Sequence, residues 1–106
     1  MLVLPIKRKW FEMIASGEKK EEYREIKPYY DKRLGHLAVG MGHLAVGMGQ
    51  SVIILLRNGY KQNSPTIKCK CVITIGEGKV DWGAEPDINY YVLKIVKILE
   101  IKNNDN

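Results

Sequence analysis

The chain has little cysteine, histidine or proline, and no long apolar run. Two cysteines in 106 residues, Cys69 and Cys71, exclude a disulfide-stapled scaffold. On a strand they would share a face with Cα atoms about 6.6–6.8 Å apart, near the upper limit for a bridge, so they read as reduced, half-buried packing residues. Without a second Cys or His pair they make a poor zinc site, so neither a metal nor a cofactor is expected. No apolar stretch approaches the about 18 residues of a membrane span, and the N-terminus lacks the layout of a signal peptide. Trp10 to Gly17 is broken by Glu12 and Ser16. The expectation is a cytoplasmic protein with no membrane partner.

What is present is one domain's worth of chain, residues 1–106, with 45% apolar residues and a frayed tail over 102–106. The formal charge is +5, which suits a polyanionic partner without requiring one. Nine basic and six acidic residues precede Leu34, so the N-terminal third is charge-dense and mixed.

The densest part is Gly17-Glu18-Lys19-Lys20-Glu21-Glu22-Tyr23-Arg24. Such a stretch enters a core only when every charge is paired, so it is either a solvated edge or the lining of a polar cleft. Before it, Ile6, Trp10, Met13 or Ile14, and Gly17 follow helical spacing and predict a helix over about Lys7 to Ser16. Trp10 then belongs to the core stripe, and Gly17 is a left-handed stop. Lys19 to Ile26 reads as a strand with no apolar face, Glu22 and Arg24 lying side by side on one of them. Pro28 opens a short helix through Leu34 that Gly35 would end.

Gly35-His36-Leu37-Ala38-Val39-Gly40-Met41 is then repeated unchanged as residues 42–48. A seven-residue shift inverts the face of a strand, so both copies cannot pair in one register. The reading is a local duplication, with one copy in a strand or tight loop and the other extruded. His36 and His43 are loop residues on this view, and the formal G-x-G-x-x-A within the repeat lacks the strand–helix context of a dinucleotide fold.

Met1 to Ile6 is an opening strand whose ladder Pro5 would end. Ser51 to Arg57 is a continuous apolar run, expected to be buried on both sides. Asn58-Gly59 signals a turn. Thr66 to Ile75 alternates, with Ile67, Cys69, Cys71, Ile73 and Ile75 on the buried face. Residues 76–87 form a turn-rich loop, and Tyr90 to Ile101 is a closing strand. The sum is an α+β fold: a small mixed β-barrel or strongly bent sheet of about five to six strands, with two short N-terminal helices.

An ion-paired Arg fork beside a Lys point charge is a receptor for phosphate or a base edge. Tyr29, Tyr30, Tyr60 and Trp82 lie where a base could stack, at about 1–3 kcal/mol each. For Trp82, packing and stacking weigh equally. Tyr23 reads as a cleft wall.

Gly17-Glu18-Lys19-Lys20-Glu21-Glu22-Tyr23-Arg24 resembles the G-x-K-x-x-E-x-R motif of the ASCH domain family, relatives of the PUA-like barrels. Trp10-Phe11-Glu12-Met13-Ile14, Pro28-Tyr29-Tyr30, Arg57-Asn58-Gly59-Tyr60, Trp82-Gly83-Ala84-Glu85 and Tyr90-Tyr91-Val92-Leu93-Lys94-Ile95 are also similar to small bacterial or phage-type members. The resemblance spans nearly the whole chain, with the repeat as its main departure. It implies a PUA-like barrel with the motif lining a cleft against the first helix, and binding of RNA or a nucleoside- or nucleotide-like ligand. Gly17, Lys19, Glu22, Arg24, Tyr29, Tyr30 and Trp82 would form that site. One branch hydrolyses N4-acetylcytidine with the motif lysine and a threonine where this chain has Glu22. The resemblance thus implies an alternative hydrolase of a modified nucleoside or of RNA, with Lys19 and Glu22 as acid–base partners. Glu77 and Glu85 are candidates, by chain order, for that branch's later glutamate. A protein-binding adaptor is a third class.

Overall fold

A computed structural model describes residues 1–41 and 51–103. Among the described residues, six strands and two helices follow in order: β1 (Leu2–Ile6), α1 (Arg8–Ala15), β2 (Glu21–Glu25), α2 (Pro28–Leu34), β3 (Ala38–Met41), β4 (Val52–Asn58), β5 (Thr66–Glu77) and β6 (Asn89–Lys102). Short 3-10 turns occupy Gly35–Leu37 and Val80–Trp82. The second heptapeptide copy, His43 included, and the end of the tail lie outside the described residues.

The strands form one mixed sheet in the order β1-β4-β5-β6-β2. β1 runs parallel to β4, whereas β4, β5, β6 and β2 are successively antiparallel. β3 joins β5 in parallel at Ile73 and Ile75, beyond the Thr66–Cys71 stretch that β4 covers. The sheet curls far enough for Arg24 on β2, at one end of the path, to hydrogen-bond the Pro5 carbonyl of β1 at the other, 2.7 Å away. This is an α+β fold built on a half-barrel.

Inside the curl, Leu4, Ile54, Leu56, Ile67, Ile73 and Leu93 pack with Phe11 and Ile14 of α1 and Leu34 of α2. Cys69 and Cys71 are free and fully buried, not half-buried, with their sulfurs 3.5 Å apart. Tyr91 donates to Asp31 at 2.6 Å and so fixes α2 to the sheet.

Several local expectations change. Pro5 does not end its ladder, because β1 is a path-end strand and needs no donor there. β4 is buried on one face only, with Ile53 at 42% exposure. β5 is covered on both faces in its second half, where Val72 and Thr74 are buried. Gly35 is right-handed and continues into the 3-10 turn instead of stopping the helix. The first heptapeptide copy supplies that turn and β3.

Candidate functional site

The site begins where α1 stops. Gly17 takes φ +87°, a left-handed conformation that suits glycine. The chain reverses there, and the Lys19 amide bonds back to the Met13 carbonyl. This turn sends the Lys19 side chain inward, leaving the residue 1% exposed. Lys19 precedes β2 rather than opening it.

Three acceptors surround the Lys19 ammonium: the Glu21 carbonyl at 2.6 Å, the Trp82 carbonyl at 2.9 Å and Glu22 Oε1 at 2.9 Å. They use all of its N–H groups. Burial lowers its pKa from the ordinary lysine value, while Glu22 opposes that fall by charge and hydrogen bond.

β2 places Glu22 opposite Leu93 and Arg24 opposite Tyr91, so both side chains project on the concave face. Glu22 is 5% exposed and is held from two sides, by Lys19 through Oε1 and by Arg24 through Oε2 at 2.5 Å. Arg24 also donates to the Tyr23 and Pro5 carbonyls, while its Nε–H is buried without a partner. A carboxylate is thereby fixed between two cations.

The other face of β2 fixes the loop between β5 and β6. The Tyr23 hydroxyl donates to Glu21 at 2.7 Å and accepts from the Lys79 amide at 2.9 Å. Burial raises its pKa above the ordinary tyrosine value. With the Lys19 bond to Trp82 and the Tyr90 hydroxyl on the Glu85 amide, the loop is tied down at three points. It therefore presents Trp82 at a fixed place.

The result is a cleft of about 480 Å³ between β2, the start of α1, the β4–β5 turn and this loop. Glu22 and Arg24 line it, with Trp10, Tyr23, Tyr30, Tyr60 and Trp82 as aromatic walls and Lys7 and Arg8 at the start of α1. Thus Glu22, Arg24, Tyr30 and Trp82 of the expected set come together in one hollow. Lys19 sits behind it and does not line it. Gly17 is outside, acting through the turn. Tyr29 is 53% exposed and stacks against Arg33, whose guanidinium lies 3.6 Å from its ring centre, away from the cleft. Glu77 and Glu85 are exposed and outside this hollow.

Trp10 is a cleft wall, not a core residue. The buried residues of α1 are Phe11 and Ile14, so the expected stripe keeps Ile14 and takes Phe11 in place of Trp10. A tryptophan set among Lys7, Arg8 and Lys9 was the signal for this, since the Lys9 ammonium lies over its ring, 4.7 Å from the ring centre. Among the described residues no three His, Cys, Asp or Glu side chains gather as metal ligands, and no helix is long and apolar enough to cross a membrane. Comparison with protein-family models, with curated proteins and with solved structures gives no match.

Proposed function

We propose that this chain is an ASCH-type, PUA-like domain of the cytoplasm that binds RNA, or a nucleotide-like ligand, in the cleft. The observation that carries the reading is the buried Lys19–Glu22–Arg24 arrangement set into an aromatic-walled hollow. Arg24 brings its charge to the cleft lining, Glu22 offers lone pairs to a base's N–H groups, and the rings offer stacking faces. The residues at the start of α1 add positive charge near the ligand.

Binding is favoured over turnover by the state of Lys19. An amine whose three donors are spent on protein acceptors, and which does not line the cleft, is a poor nucleophile or proton relay. Its role here is to hold Glu22 and the Trp82 loop in place.

Titration of the protein with short single-stranded RNA, followed by fluorescence anisotropy across a salt series, tests the reading. Affinity should fall as salt rises, and Trp82→Ala should weaken it about 5- to 150-fold with an unchanged circular dichroism spectrum. Absence of binding at low salt, or release of product from RNA or acetylated cytidine, defeats it.

A further inference from the structure

Beside the cleft lies a second hollow of about 510 Å³. Both are lined by Tyr23, Arg24, Tyr30 and Gly83, so they adjoin across a shared partition. We propose that the ligand is a single strand of at least two nucleotides that seats one base in each chamber. This rests on the cleft reading above and extends it.

The chambers differ in chemistry. The first combines Arg24 with Lys7 and Arg8 against a single carboxylate, Glu22, already held by two cations. The second brings Glu25 and Glu85 together with Tyr90 and Ile88. There Glu25 and Glu85 offset Arg24 and Lys27, so the second chamber lacks the cationic excess of the first, and an unstacked base, with N–H donors on its edge and an apolar face, fits. Each hollow falls in the size range of small-ligand pockets, and their sum exceeds what one nucleoside needs.

The partition suits the connecting phosphodiester. The Arg24 guanidinium carbon stands 5.9 Å and the Lys27 ammonium 5.6 Å from the Tyr30 ring centre, one cation lining both chambers and the other only the second. A phosphate that crosses the partition meets positive charge, and the bases on either side meet rings.

Calorimetric titration with nucleoside 3′,5′-bisphosphates and with 5′-phosphorylated ribodinucleotides separates the alternatives. The dinucleotide carries less negative charge than the bisphosphate, so a gain in its affinity reports the second base. The expected gain is about tenfold, and Ile88→Ser should remove it while leaving bisphosphate affinity unchanged. Equal affinity for the two ligands overturns the two-chamber proposal and leaves the single cleft standing. Binding of neither overturns both readings together.

Discussion

Lys19 shows how one residue can be indispensable to a site it does not line. Its ammonium joins the turn after α1, the β2 carboxylate and the Trp82 carbonyl, and the residue is buried. Lys19→Met keeps the approximate length but leaves Glu22 with one cation and takes the ammonium donor from two carbonyls. Breaking a buried pair from one side costs about 3–5 kcal/mol, so the urea midpoint should drop steeply. A change below about 1 kcal/mol would mean the ammonium is solvated instead. Tyr23 makes a different prediction, in pH. Unfolded tyrosine loses its proton near pH 10, and the folded group loses it later because burial raises its pKa. Above that pH the folded state holds the extra proton, so stability falls as pH rises. Tyr23→Phe lacks that proton and should lose less stability than wild type between about pH 9 and 11. Equal slopes in denaturation series would refute the assignment.

At the scale of elements, the loop from Gly78 to Ile88 decides whether a cleft exists at all. It lies against β2 so closely that a Cβ at Gly78 would fall 2.6 Å from the Tyr23 ring and 2.7 Å from the Ala84 methyl. Gly78→Ala therefore forces the loop off β2 or displaces Tyr23, an overpacking cost of about 1–3 kcal/mol. Trp82 fluorescence and the guanidinium midpoint should both shift, and an unaltered midpoint would show the loop to be loosely held. Little of this is legible in the sequence. Residues 76–87 announce a loop through their turn formers, although β5 runs on through Glu77, and nothing local encodes that Lys79 meets Tyr23, 56 residues away, or that Trp82 meets Lys19, 63 residues away. The charged stretch was legible as anomalous, because period-two alternation left both faces of β2 polar and so demanded either water or pairing. Which of the two applies is set by the curl of the sheet, a long-range property. The same limit misplaced Trp10: an eight-residue helix offers too few turns to fix its buried stripe to within one position. β4 misled for the opposite reason, since an unbroken apolar run says nothing of whether a second layer exists to cover it.

The whole molecule is an open curl, and its two path-end strands need something to keep them near each other. β1 and β2 do not pair in the sheet order, yet the Arg24 guanidinium spans them, donating to Pro5 on one side and to Glu22 and the Tyr23 carbonyl on the other. A planar fork with five donors can serve all three acceptors at once, whereas a lysine ammonium at the end of a flexible stem cannot hold that geometry. Arg24→Lys thus preserves charge but unfastens the curl. Amide hydrogen exchange should quicken in β1 and β2, at Leu2–Ile6 and Glu21–Glu25, while the long β5–β6 ladder keeps its protection. The cleft sits at that seam, so the proposed affinity for RNA should fall alongside, although the net charge of the protein is unchanged. If affinity falls while exchange in β1 and β2 stays as in wild type, Arg24 acts on the ligand alone and the two strands are kept together by the core beneath them.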